Sequence, residues 1–379
     1  MSTRTAYRCG AACVAVETED AGASRWLAEF VTPWFEPCSA AASACTVRFT
    51  PSRSLYESAE RRRATASTLL FPCFGLDRAD VSLPGWTDGG ATIVADDELG
   101  SFYRVQAAAV EVIARPDDPS ARIGLMRVVR ELLVAGRLAI DPLLDLHAAA
   151  FETPVGAILL AGPKAAGKTT LLAHFLRGGG VALIGNDRVL VDVQAAPPVV
   201  LGVPVLVSIR ERTLALFPEL RRTPGERPAV WHSGERALSS ISERPRAHPP
   251  RSFGLTPAQL ALRCTSATAR SAPVAAIVFP EIDPACKQWA VEPLAADIGS
   301  RYLLDSRYGE GATPRSQTIF ERMMSRGGSR SDDTAVRAAR LSTAVRLIRC
   351  RLGSRAYANG PRDLLQALTG AGAPAEQLR

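Results

Sequence analysis

The sequence predicts an α/β protein, and three observations carry that prediction. Residues 157–161 (AILLA) form a short continuous apolar run, as a strand buried on both faces does. That run leads into a glycine-rich loop and then into a segment with Leu171, Leu172, Phe175 and Leu176 at helical spacing. A second apolar run, residues 181–184, follows the glycines at 178–180 and completes a strand–loop–helix–strand unit.

The N-terminal part reads as a smaller α/β domain. It holds an apolar run at residues 9–16, then a helical pattern at 24–30 carried by Trp26, Leu27 and Phe30. Strand alternation follows at 45–49, and further strands are expected at 68–74, 91–95 and 102–113, with a turn at 96–100. Residues 117–120 look like a helix start, and Ile123, Met126, Val129, Leu132 and Leu133 keep helical spacing to about residue 138. With 379 residues and about 150 residues per domain, two or three domains are expected. A boundary near Asp141 and Pro142 gives an N-terminal domain of unknown role at 1–139 and a larger domain, which carries the glycine-rich loop, at 140–379. The latter adds strands at 203–209, 273–279 and 344–350, a helix at 361–368, and long loop inserts at 221–253 and 306–331.

Composition excludes several classes. At 47% hydrophobic and 22% charged residues, wholesale disorder is not expected. No apolar stretch reaches the ~18 residues of a membrane helix. The N-terminus lacks the length and the cleavage site of a secretory signal. A soluble, cytoplasmic protein that engages no membrane is the expectation. The net charge is +7, yet only three of the 45 basic residues are lysine, namely Lys164, Lys168 and Lys287. The positive balance therefore reads as compositional bias, and no basic cluster is interleaved with aromatic residues, so nucleic acid is not an expected partner. The eight cysteines form no C-x-x-C pair and none is close to one of the four histidines, so they read as free, reduced core residues rather than zinc ligands.

The loop carries the chemistry. Gly162-Pro163-Lys164-Ala165-Ala166-Gly167-Lys168-Thr169 matches G-x-x-x-x-G-K-[ST] at every position, with Thr170 following. Glycines let the backbone curl so that successive N–H groups face a phosphate, and the next helix adds its positive end. Lys168 is placed to reach the β- and γ-phosphates, and the Thr169 hydroxyl to join the Mg²⁺ shell. Two of the three lysines fall in this loop, where a compact ammonium does what a guanidinium cannot.

A carboxylate must complete such a site. Asp187 ends the strand 19 residues beyond Lys168, and a neighbouring parallel strand would deliver it to the phosphates. The competing readings are Asp187 paired in a turn with Arg188 or another arginine, and Glu281 as the acid after the apolar run that ends at Pro280. His147 precedes the loop strand; taken alone, a histidine there is more often structural than functional. His174, His232 and His248 show no functional signal. Arg210 could clamp phosphate, with a surface salt bridge as the simpler alternative.

With His147, the loop and Asn186-Asp187-Arg188-Val189 taken together, the chain resembles the HPr kinase/phosphorylase superfamily. Within it the likeness is to HPr-kinase-like serine kinases found near genes for modified peptides such as lasso peptides. Gly162 lies 15 residues after His147, the spacing seen in that family. The resemblance covers residues 145–193 well, the rest of the C-terminal half loosely and the N-terminal part hardly at all. It implies a kinase fold with a mixed sheet related to phosphoenolpyruvate carboxykinase, ATP with Mg²⁺ as donor, and a serine hydroxyl as acceptor. By position, Lys168 and Thr169 match the phosphate and metal ligands, His147 the histidine that supports the acids, and Asp187 the second acid and metal-linked residue. Asn186 departs: it stands where the family has its first acid, the catalytic base, and an amide cannot accept a proton. The family's later glycine-rich signature is absent.

The function expected from these residues is transfer of the γ-phosphoryl group of ATP to a hydroxyl of a peptide, a protein or a small metabolite. The alternatives are an ATP-binding or ATP-hydrolysing switch, or a scaffold, without an acceptor. The sequence leaves homo-oligomerisation open.

Overall fold

The computed structural model describes residues 3–76, 79–116, 118, 120–220, 252–308, 317–324 and 333–370. The protein is α/β with mixed sheets. The described residues fall into two compact units, one of residues 3–141 with 317–324, the other of residues 142–220, 252–308 and 333–370.

The first unit holds β1 (Thr3–Cys9), β2 (Ala12–Thr18), β3 (Glu36–Pro37), β4 (Cys45–Pro51), β5 (Leu69–Leu76), β6 (Ala79–Asp88), β7 (Ala91–Asp96), β8 (Ser101–Gln106) and β9 (Ala109–Ala114). They form one sheet in the order β3-β1-β2-β4-β9-β8-β7-β6-β5. Strands β2, β4 and β9 are parallel; β9 to β5 run as an antiparallel meander. The apolar run at 9–16 is a hairpin rather than one strand, turned by Gly10 at φ 60°. The run at 102–113 is likewise two strands, with Ala107 in the turn at φ 46°. Helix α1 (Ala21–Val31) is capped by Asp20, whose carboxylate accepts from the Ala23 N–H. Helix α2 (Arg53–Arg63) is capped by Ser52. Helix α3 (Ala121–Ile140) buries Ile123, Met126, Val129, Leu132 and Leu133, as their spacing predicts, and packs on β2.

The second unit opens with β10 (Leu144–Leu146), β11 (Ala148–Thr153) and β12 (Gly156–Ala161). Helix α4 (Lys168–Leu176), β13 (Ala182–Gly185), β14 (Val189–Asp192) and β15 (Val199–Gly202) follow. Next come β16 (Val207–Arg210), α5 (Glu211–Leu216), β17 (Ser252–Leu255), α6 (Pro257–Arg263), β18 (Ala267–Thr268), β19 (Ser271–Ile282) and β20 (Trp289–Pro293). Helix α7 (Ala296–Asp305) precedes a return of the chain to the first unit, where α8 (Ile319–Met324) packs on α3 and β5. Helix α9 (Thr334–Ala344), β21 (Arg346–Leu352) and α10 (Arg362–Thr369) complete the second unit.

Its main sheet runs β10-β14-β15-β19-β12-β11-β13-β18, with β21 on β19 and β20 on β21. Alternate residues of β12 feed two cores. Ile158 and Leu160 pack with Leu171, Leu172, Phe175 and Leu176 of α4, while Leu159 and Ala161 pack with Leu303 of α7 and Leu341 of α9. Helices on both faces explain why AILLA lacks alternation.

One loop expectation is corrected, and the other falls almost wholly outside the described residues. Within 306–331, Thr318 Oγ1 accepts from the Glu321 N–H while the Glu321 carboxylate accepts from the Thr318 N–H, a reciprocal cap that starts α8. Phe320 then packs on Phe74 and Tyr103. Within 221–253, residues 221–251 lie outside the described residues, and Ser252 opens β17, paired to β16. The strand expected at 203–209 begins only at Val207, after β15 has ended at Gly202.

Candidate active site

The Gly162–Thr169 loop leaves β12 at Ala161 and enters α4 at Lys168. Gly162 (φ 143°), Ala165 (φ 70°) and Gly167 (φ 95°) all take positive φ, which curls the chain. At Ala165 the left-handed conformation costs an L-residue about 1 kcal/mol, strain held where the loop is exposed. No side chain caps α4, because its N-cap is Gly167. Lys168 is 6% exposed, and its ammonium donates to the carbonyl oxygens of Gly162 (2.7 Å) and Pro163 (3.0 Å). Pro163 and Lys164 are exposed, and Ala166 and Thr169 half-buried. The Thr170 hydroxyl meets that of Thr213 at 3.1 Å, tying α4 to α5.

The register of β11 assembles the rest. Strand β11 is antiparallel to both β12 and β13, so those two point the same way with β11 between them. The sequence reading made β13 the direct parallel neighbour of the loop strand; the interposed β11 corrects it. Ala148 opens β11 opposite Ala161, and Gly185 at the end of β13 lies opposite Ala150. His147, the glycine loop and Asn186-Asp187 therefore leave the sheet from one edge.

The His147 N–H donates to the Ser306 carbonyl (2.7 Å), and the Tyr308 N–H to the Asp145 carbonyl (3.0 Å), which fixes the backbone on both sides of Leu146. The His147 side chain is 7% exposed, and its Nδ1 lies 3.7 Å from Oδ1 of Asp187, which is 41% exposed. That separation is longer than a hydrogen bond and leaves the carboxylate open to solvent. Asn186 is 4% exposed, and its Oδ1 is buried with no hydrogen-bond partner.

The competing readings resolve differently. Arg188 pairs with Asp145 rather than with Asp187. Glu281 does come off the same sheet edge, since β19 is parallel to β12 and continues through Pro280 to Ile282. Its carboxylate is 61% exposed, 3.9 Å from Arg349. Arg210 is exposed at the end of β16. The sequence reading missed the Asp145–Arg188 pair, whose members are 43 residues apart with no local signal. It missed Tyr357 as well, whose hydroxyl lies 3.7 Å from where a side chain at Gly167 would begin.

Behind the loop, His174 of α4 is buried beside Phe175, Phe217 and Tyr357, its Nδ1 without a hydrogen-bond partner. Burial, and then the Arg177 guanidinium, bring its pKa down to about 4. Burial, and then Cys350, raise that of Tyr357.

Among the described residues, no group of three or more His, Cys, Asp or Glu side chains could hold a metal ion, and no helix is long and apolar enough to cross a membrane. No protein-family model matches the chain, and no curated protein is significantly similar to it.

Proposed function

We propose that this protein is an ATP-dependent kinase that transfers the γ-phosphoryl group to a hydroxyl, of the HPr-kinase-like type that residues 145–193 resemble. The observation that carries the reading is the common sheet edge: an unbroken G-x-x-x-x-G-K-T loop on a strand and an uncapped helix, with the His147–Asp187 pair leaving the adjoining strands. The acceptor would be a serine of a peptide or protein, or the hydroxyl of a small metabolite.

The residues fit magnesium bound with a nucleotide. Such an ion takes one or two protein oxygens and completes its shell with phosphates and water, so no protein cage is required. Thr169 and Asp187 would supply those oxygens. Bound Mg-ATP supplies the transferable group and a dication that spreads its charge.

The chain's own residues do the remainder. Lys168 exchanges two carbonyl partners for phosphate oxygens, a move its flexible stem allows. The curled backbone offers N–H groups to the phosphates. Asp187, half open to solvent, orients the acceptor hydroxyl and takes its proton, with His147 standing 3.7 Å behind the carboxylate. Asn186 can orient but not deprotonate.

That amide also motivates the second reading, a nucleotide-binding switch or scaffold without an acceptor. Incubation with γ-labelled ATP, Mg²⁺ and serine-containing peptides separates them. Label on the peptide supports the kinase; free phosphate alone supports a hydrolase; binding without turnover supports a scaffold. Failure of every purine triphosphate to bind overturns all three.

A further inference from the structure

The first unit holds a chemical feature that phosphoryl transfer does not use. The Sγ atoms of Cys13 and Cys38 are 2.8 Å apart, well inside the contact distance of two sulfurs that merely pack. The two residues flank β1. Cys13 lies opposite Arg8 in the β1–β2 ladder, and the Cys38 N–H donates to the Ala6 carbonyl on the other side of that strand (3.0 Å). They meet across β1 because the surrounding side chains are methyl groups: Ala6, Ala15 and Ala40 form the cluster that contains both thiols. Besides the thiol contact, the sulfur of Cys13 has only the distant Ser39 carbonyl (3.9 Å) as a polar contact.

We propose that Cys13 and Cys38 form a redox-active dithiol that closes to an intramolecular disulfide on reaction with a low-molecular-weight disulfide such as oxidised glutathione. The proposal is independent of the kinase reading. Exposure divides the roles: Cys38 is half-buried, whereas Cys13 is 5% exposed. Burial, and then the neighbouring thiol, push the Cys13 thiol up to about 12, with Arg8 opposing weakly. Cys38 therefore enters the reaction and Cys13 resolves it.

The thiolate of Cys38 attacks one sulfur of the oxidant. A mixed disulfide forms, and the other half leaves as a thiolate that takes up a proton. Cys13 then gives its proton to water, and its sulfur attacks Cys38 Sγ and expels the second thiolate. Two protein thiols and one small disulfide become one protein disulfide and two small thiols; two electrons pass to the oxidant. The new bond ties β2 to the segment after β3 and encloses all of α1.

The test equilibrates the full chain in reduced and oxidised glutathione, then traps and counts thiols after denaturation. Of the eight free cysteines, two should disappear together in the oxidised sample. The mass should fall by two hydrogen atoms, and a single linked peptide should join Cys13 to Cys38. Cys13→Ser should stop at a glutathione adduct on Cys38, Cys38→Ser should form neither the bond nor an adduct at Cys13, and the buried control Cys45→Ser should still close the bond. Circular dichroism verifies that each variant is folded. Eight reactive thiols in the oxidised wild type, an adduct at Cys38 that never resolves, or a link between other cysteines would overturn the proposal.

Discussion

Arg188 and Asp145 form a two-pronged ion pair, with Nε and Nη2 donating to the two carboxylate oxygens at 2.9 and 2.7 Å. The Arg188 side chain is 2% exposed, and its guanidinium lies 4.0 Å over the ring of Tyr308. The pair takes up the cation beside Asp187 in sequence, and Asp187 faces His147 instead. It also joins β10 to the turn after β13, so the backbone that carries Asn186-Asp187 is anchored to the strand that leads into His147.

Removing either member strips a buried charge of its two-pronged ion-pair partner. Arg188→Leu should lower the stability of the chain by about 3–5 kcal/mol, and Asp145→Leu by a similar amount. The double variant should lose clearly less than the sum, because the two charges compensate each other in the fold and are then removed together. Urea unfolding of the four proteins gives the coupling. Simple additivity would mean that the two side chains do not depend on each other.

The loop and its flanking strand and helix were legible in the sequence because their signals are local: AILLA, the glycine spacing, and the leucines of α4. The pairing order of the strands was not. That β11 would insert between β12 and β13 depends on tertiary packing, since residues 148–153 (AAAFET) carry no strand alternation. Asp145 could not be matched to Arg188, because nothing in a chain records which distant charge will be buried with it. The helix at 319–324 did have a signal, Thr318-Ile-Phe-Glu321, but its apolar run is too short for periodicity to stand out from the polar stretch around it. Asp187 facing His147 was legible only through the resemblance, since the residues alone marked Asp187 as the leading carboxylate but named no partner for it and also allowed a pair with Arg188 or another arginine.

Lys168 is the residue on which the proposed phosphate grip depends. Lys168→Ala should reduce phosphoryl transfer by about 10²- to 10³-fold and weaken the binding of Mg-ATP. Lys168→Arg should not restore it, since a planar fork cannot follow the same path between two loop carbonyls and a phosphate. Single-turnover transfer and calorimetry read the two effects separately. Near-normal transfer by the alanine variant would remove the loop from the chemistry.

The neighbouring amide and acid should separate in kinetics. Asp187→Asn keeps the shape but loses the proposed base, and should lower kcat by roughly 10²- to 10⁴-fold with little change in folding. Asn186→Ala removes a buried oxygen that has no partner, so it should leave kcat within about tenfold. The reverse ranking would mean that proton removal does not run through Asp187.

Acid should weaken the second unit through His174. Its pKa, held down to about 4 mainly by burial, lies below the 6.5 of an exposed imidazole. Between those values the unfolded chain carries a proton that the folded chain does not, so unfolding takes up protons and becomes easier as pH falls. The histidine then costs the fold up to about 3 kcal/mol near pH 4 and nothing above about pH 7. His174→Phe keeps a ring of similar size among Phe175, Phe217 and Tyr357 and has nothing to titrate. Urea midpoints measured from pH 7.5 down to 4.5 should therefore fall faster for the wild type than for this variant. The two proteins differ at this residue alone, so the difference between the two curves isolates the imidazole; parallel curves would mean that His174 takes up its proton without unfolding the helix behind the loop.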